Sequence, residues 1–314
     1  MIKILLNPVS LIFKTISLIN LDLKSLACRK YGKATIISVD NLSFGGTGKT
    51  PLVMAIGRVL QADGIPFAVV SRGYRSRYEQ EGTRVLAHHT VAEIGDEARM
   101  LGNTFPGQDI FIGRDRHLSI KKAIARHNRV IILDDGFQST DIHKDLRIML
   151  FNPAHPYYYL RNFKYLVDRE DIILYYGCQP AGTDRGKGPL KGTYTFEIES
   201  FCDRQGQVVD LAGARLFGFS ALGDNRRFER DLGGFSGKGF RPFKDHHVFS
   251  QAEIYSLDQA RQAAQADFLV CTEKDFVRLA DLDLTGIPFI FARNRIKLSF
   301  DLAGKILELC RQKR

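Results

Sequence analysis

Several features that would place a chain quickly are missing here. The five cysteines, Cys28, Cys178, Cys202, Cys271 and Cys310, are scattered and form no CxxC pair. That spacing argues against disulfide and zinc frameworks and suits a reducing cytosol. No internal repeat and no low-complexity segment organises the chain. No stretch approaches the roughly 20 uninterrupted apolar residues of a membrane-crossing helix. In the most apolar part, residues 1–33, the run is broken by Pro8, Lys14, Asn20, Asp22 and Lys24. It also lacks a small-residue cleavage site after a short apolar core, which excludes a signal peptide reading. No recognised nucleic-acid-binding module occurs either.

The 314 residues are enough for two domains of ordinary size. With 44% hydrophobic and 25% charged residues the composition is globular. A net charge of +10 favours an anionic partner: nucleic acid, an acidic lipid surface or a phosphorylated substrate. Residues 1–33 hold six Lys/Arg and one acid, Asp22. Ile12, Ile16, Ile19, Leu23 and Leu26 recur at helical spacing, with Lys14, Ser17 and Lys24 largely off that stripe. Two readings fit this segment: a helix packed on the domain, or an amphipathic helix in a membrane interface.

The chain is organised around Ser43-Phe44-Gly45-Gly46-Thr47-Gly48-Lys49-Thr50. A β-type run, Thr35 to Val39, precedes it, and a helical run from Thr50 to Leu60 comes after it, with Pro51 in the first turn. Strand, glycine-rich loop and Gly-Lys-Thr on a helix is the context of a phosphate-binding loop. The backbone of Gly45, Gly46, Thr47 and Gly48 points N–H groups at phosphate, and the helix N-terminus adds partial positive charge. Lys49 reaches the β- and γ-phosphates, and the Thr50 hydroxyl can ligate Mg²⁺. Ser43 stands where the first Gly of GxxxxGK[ST] belongs. Downstream, Val130 to Leu133 is an apolar strand that ends in Asp134-Asp135-Gly136-Phe137-Gln138. An acid at the carboxyl tip of such a strand is the Walker-B arrangement, and Asp134 pairs with Lys49-Thr50 as a Mg²⁺ ligand.

Further strands are expected at Phe67–Val70, Asp109–Ile112, Ile148–Phe151 and Ile172–Tyr176, alternating with helices. This is a P-loop NTPase-like α/β/α domain with a mostly parallel sheet, residues 34–192. Residues 193–214 alternate, turn at Asp203 to Gln207 and resume, and read as a β-hairpin linker. Residues 215–314 form a second, smaller α/β domain, with a glycine-rich loop at Gly233–Gly239. Asp96 and Glu97, in the first turn of a helix, are either dipole complements or catalytic.

Several fragments together resemble one family, the tetraacyldisaccharide 4′-kinases, the lipid A kinases of Gram-negative bacteria. They are the segment Ser38 to Pro51, Ser71-Arg72-Gly73-Tyr74, Gly95-Asp96-Glu97, Leu133 to Gln138, Leu222-Gly223-Asp224-Asn225, Asp245-His246-His247 and Thr272-Glu273-Lys274-Asp275. They keep the family's order and span nearly the whole chain. The missing first Gly of the loop belongs to the resemblance. The resemblance implies two α/β/α domains joined by a short two-stranded linker. It also implies transfer of the ATP γ-phosphoryl group, with Mg²⁺, to the 4′-hydroxyl of a tetraacylated glucosamine disaccharide phosphate. The site would be the cytoplasmic face of the inner membrane, where an anionic bilayer favours the interfacial reading of residues 1–33.

The resemblance further points to Asp96 as the base for the sugar hydroxyl, paired with His246 from the second domain. Asp135 is assigned to the metal shell or to orienting the acceptor, and Arg72, Arg114 and Arg161 are candidates for phosphate contacts. Two positions depart from the family. Asp40 stands where Gly is usual, so its carboxylate must point away from phosphate or pair with a cation. Asn162 replaces the Glu of a Leu-Arg-Glu segment, with Glu170 nearby in sequence. Within enzymes, a membrane-associated P-loop nucleotide switch is the competing reading. A nucleic-acid-binding protein, suggested by the charge alone, lacks its module.

Overall fold

The structure is a computed structural model that describes residues 2–41, 47–154, 170–178, 188–235, 237–245 and 247–313. In chain order its elements begin with α1 (Ile2–Ser25), β1 (Thr35–Asn41), α2 (Lys49–Ala62), β2 (Phe67–Ser71), β3 (Thr83–Arg84), α3 (Val91–Ile94) and α4 (Asp96–Thr104). Next come β4 (Asp109–Ile112), α5 (Arg116–Ala125), β5 (Val130–Asp134), β6 (Leu146–Phe151), β7 (Ile172–Tyr176) and β8 (Leu190–Cys202). The chain continues through β9 (Leu216–Ser220), α6 (Asn225–Gly233), β10 (Gly237–Pro242), α7 (Gln251–Ala263), β11 (Phe268–Thr272), α8 (Glu273–Arg278), β12 (Phe289–Leu298) and α9 (Leu302–Gln312). Two compact units result, residues 1–195 with 296–314, and residues 196–295.

In the first unit the strands run β8-β7-β6-β1-β5-β2-β4-β3. All pairings are parallel except the short edge strand β3, which lies antiparallel to β4. The central strands β1 and β5 are buried along their whole length. Continuous apolar runs suit a parallel sheet covered on both faces. One face packs Ile36, Ala68, Val70, Ile131 and Leu133 against Ile120 and Ala123 of α5. The second unit has its own parallel sheet, β10-β9-β11-β12, and its own core around Phe219, Ile254, Leu257 and Phe289.

The chain passes between the units twice: β8 runs from the first unit into the second, and β12 runs back. The turn at Asp203–Gln207 falls inside the second unit, closed by an antiparallel bridge between Cys202 and Val208. The second domain does not extend to residue 314, because α9 returns to pack on α2, with Ile306 fully buried. The glycine-rich stretch at 233–239 yields a strand, β10, since its pairing with β9 offsets glycine's weak strand preference. Gly239 is needed there: a Cβ would strike the Phe217 ring.

Helix α1 holds Leu21 and Lys14 inward, and Thr140 Oγ1 donates to the Leu21 carbonyl at 2.6 Å. Burial pulls the Lys14 ammonium below its ordinary pKa. Leu11, Ile16, Ile19, Leu23 and Leu26 are all at least half exposed. The apolar stripe read from the sequence therefore faces outward along most of its length. Among the described residues no helix is long and apolar enough to cross a membrane.

Candidate active site

The carboxyl ends of β1 and β5 lie side by side, with Val39 in register with Asp134. Ligands of open α/β sheets bind at this end. Asn41, the last residue of β1, anchors the residues that open α2. Its Nδ2 donates to Thr47 Oγ1 at 2.8 Å, and its Oδ1 accepts from Lys49 Nζ at 3.0 Å. The backbone between them passes through Gly48 at φ 92°, a left-handed conformation that costs glycine little, and α2 begins at Lys49. Tyr194 of β8 fixes the turn from the other side, donating its hydroxyl to the Thr47 carbonyl at 2.9 Å. Lys49 Nζ also lies 3.8 Å from Asp135 Oδ1. Thr50 is buried in the first turn of α2.

Asp134 ends β5 and is 2% exposed. Its Oδ2 accepts from Ser71 Oγ at 3.4 Å, while its Oδ1 is buried with no hydrogen-bond partner. Burial, helped by the Glu97 carboxylate, pushes its pKa up to about 7 against the pull of Lys49. A buried carboxylate with an orphan oxygen is a hard donor of the kind that fits Mg²⁺, and the Thr50 hydroxyl at the start of α2 is a second oxygen donor of that kind. Asp135 takes a left-handed φ of 58°, which Asp tolerates better than most residues. Arg116, at the start of α5, holds that turn. Its guanidinium donates to the Asp135 carbonyl at 2.8 Å, the Asp134 carbonyl at 3.3 Å and Ser139 Oγ at 3.2 Å. Burial lowers the Arg116 pKa, opposed first by Asp135 and then by Asp134.

Lys49, Thr47, Gly48, Thr50, Asp134 and Asp135 thus belong to one neighbourhood of the first unit. Gly45 and Gly46 of the loop, His246, Arg161 and Asn162 lie outside the described residues. Asp96 opens α4 and accepts the Glu97 N–H at 2.9 Å, as a first-turn acid does. Arg72 is engaged with Glu79 at 2.7 Å, and Arg114 is exposed. Four contributors escaped sequence reasoning: Tyr194, Arg116, Ser71 and Glu97 as the acid that acts on Asp134. Only Ser71 and Glu97 stood in fragments already singled out, so only they carried a signal.

A model of the family described as tetraacyldisaccharide-1-P 4′-kinase matches residues 2–310. A tetraacyldisaccharide 4′-kinase of Desulfotalea psychrophila is 32% identical over 304 residues, covering 88% of this chain and 86% of the relative. One from Geobacter metallireducens is 34% identical over 279 residues, covering 82% of each. In fold, the chain is similar to a crystal structure of LpxK from Aquifex aeolicus in complex with ATP. The TM-score is 0.79 at 24% identity, covering 100% of this chain and 99% of that one.

Proposed function

The chain belongs to the tetraacyldisaccharide-1-P 4′-kinase family, and on that premise we propose how its own residues carry out the 4′-phosphorylation of a tetraacyldisaccharide 1-phosphate in lipid A biosynthesis. The observation that supports the reading is that β5 ends in Asp134, with an orphan oxygen, in register with the strand whose Asn41 holds Lys49 at the start of α2. ATP is the phosphoryl donor. Gly45, Gly46, Thr47 and Gly48 cradle its phosphates through backbone N–H groups, and Lys49 leaves Asn41 and Asp135 to contact the β- and γ-phosphates. Thr50 and Asp134 hold Mg²⁺, which neutralises charge on the transferring phosphoryl group when bound. Asp135, held by Arg116, completes the metal shell or orients the acceptor.

The 4′-hydroxyl is a weak nucleophile until a base takes its proton. Asp96 accepts that proton, and His246 stabilises and orients the carboxylate, the two acting as one unit. The exposed Ile16, Ile19, Leu23 and Leu26 of α1 enter the acyl boundary of an anionic inner-membrane surface, where the acylated substrate resides. Basic residues near such a surface add roughly 1 kcal/mol each.

The deciding experiment incubates purified protein with γ-labelled ATP, Mg²⁺ and a tetraacyl disaccharide 1-phosphate in detergent micelles. Label is expected in the lipid. ATP hydrolysis without labelled lipid would overturn the reading in favour of a nucleotide switch.

A further inference from the structure

Asp40, the buried acid on the P-loop strand, has no part in that scheme. It has no exposed surface, and neither carboxylate oxygen has a hydrogen-bond partner. Ser38 lies two residues earlier, on the same face of β1 and equally buried; its hydroxyl makes no hydrogen bond of ordinary geometry but lies near enough to favour the Asp40 carboxylate. Glu170, just before β7, contributes Oε2, also buried and without a partner. Burial raises the pKa of Glu170 to about 8, and Asp40 is the charge that raises it most. Gly136 closes the space, because a Cβ there would strike the Ser38 hydroxyl. Strand alternation turns this face away from Asn41, while the charges of Asp135 and Arg116 still reach Asp40.

The charges that face it are already committed, with one exception. Arg147 is paired with Asp171, Arg116 with the carbonyls of Asp134 and Asp135, and Asp135 with Lys49. Lys144 remains, and its Nζ donates to the Gly136 carbonyl at 2.6 Å. Arg116 keeps its charge, since carbonyls do not cancel it, so Asp40, Glu170 and Asp134 together face Lys144 and Arg116, one positive charge short when all three acids are ionised. Every unpartnered atom in it is a hard oxygen, with no nitrogen or sulfur ligand among them.

We propose that Ser38, Asp40 and Glu170 bind a monovalent alkali cation behind the strand that carries the P-loop. The cation ties β1 to the start of β7 and meets the charge deficit that the buried acids create. It is a structural site, distinct from the one assigned to Thr50 and Asp134.

The test melts the full chain, free of nucleotide and divalent metal, in KCl, NaCl or tetramethylammonium chloride at equal ionic strength. The melting temperature is expected to be roughly 2–4 °C higher in one alkali salt than in tetramethylammonium, and to saturate with concentration. Asp40→Asn combined with Glu170→Gln removes that preference, and Ser38→Ala weakens it. Should the double variant fail to fold, Ser38→Ala and Glu170→Gln singly decide the matter. Equal midpoints in all three salts overturn the proposal, as does an undiminished preference in the variants. A wild type blind to cation, but losing stability between pH 5 and 8 through these two acids, also overturns it: a shared proton then fills the deficit.

Discussion

Two buried aspartates, one in each unit, stand near the carboxyl ends of parallel strands and are treated in opposite ways. Asp275, in α8 of the second unit, has no exposed surface. It accepts from Thr272 Oγ1 at 2.7 Å, Arg278 at 3.1 Å and the Ala221 N–H at 3.2 Å. Asp134, in the first unit, has one long contact from Ser71 and an orphan oxygen. Burial raises the pKa of both, but hydrogen bonds and Arg278 oppose the rise at Asp275, whereas Glu97 adds to it at Asp134. Burial alone does not mark a reactive acid. The mark is a buried acid whose neighbours leave a place for a cation. Net charge shows the same division: of 45 Lys/Arg and 35 Asp/Glu, the first unit holds 32 and 20, the second 13 and 15. The basic balance belongs to the first unit.

The largest expected effect belongs to the proposed proton acceptor. Asp96→Ala and His246→Ala should each lower kcat about 10²–10⁴-fold, with ATP affinity little changed. The double variant should be little worse than the poorer single one, because residues acting together are not additive. Multiplicative losses would mean independent roles.

The next effect tests the satisfied acid. Asp275→Ala removes the acid that pairs with the buried Arg278 guanidinium and should cost about 3–5 kcal/mol in urea unfolding. The folded fraction should keep its Michaelis constants; altered constants would place Asp275 in the chemistry.

Asp134→Asn tests the unsatisfied one. Turnover should fall about 10²–10³-fold, equivalent to roughly 3–4 kcal/mol, while the metal-free fold gains stability at pH 8. The sign comes from the raised pKa of about 7. The folded protein binds this proton more tightly than the unfolded chain, so the stabilisation is complete below the ordinary carboxylate pKa and is lost as pH climbs towards 7. Unfolding midpoints at pH 5 and pH 8 should therefore differ less in the variant than in the wild type. An unchanged difference would assign the titration elsewhere.

Arg116→Lys should have a smaller effect, lowering kcat roughly tenfold, because an ammonium cannot bridge two carbonyls and a hydroxyl as the planar fork does. Normal turnover in this variant would show that the Asp134–Asp135 turn holds itself. The smallest effect is at the surface. Ile19→Ser should reduce partitioning onto anionic vesicles roughly three- to tenfold and raise KM for lipid more than KM for ATP. Equal partitioning would separate the charge of the first unit from any use of the α1 stripe.

Much of the fold was legible because buried parallel strands are uninterrupted apolar runs. Ile172–Tyr176 and Leu216–Ser220 have the bounds their sequences suggest. The P-loop and the acid-tipped β5 were legible for a related reason, since phosphate and metal demand fixed residue types at fixed local spacing. What was not legible depends on distance along the chain. Tyr194 lies 147 residues from the Thr47 carbonyl it holds, and nothing near it in sequence announces that role. Arg116 resembles any helix-opening basic residue until the turn it braces is seen. The return of α9 to the first unit is equally silent, because an amphipathic helix does not encode which sheet it covers. Asp40 was expected to point away from phosphate or to pair with a cation, and strand alternation does turn it from Asn41.

The out-and-back path along β8 and β12 has a consequence for the order of the chain. The second unit is one continuous stretch, 196–295, and every residue of it precedes α9 in the chain. The first unit is split around it: Ile306 and the Lys313–Asp145 ion pair reach it from beyond the second unit. The unit encoded second is thus the one whose residues are contiguous. The α2 face of the first unit is covered only by a helix that follows the whole second unit.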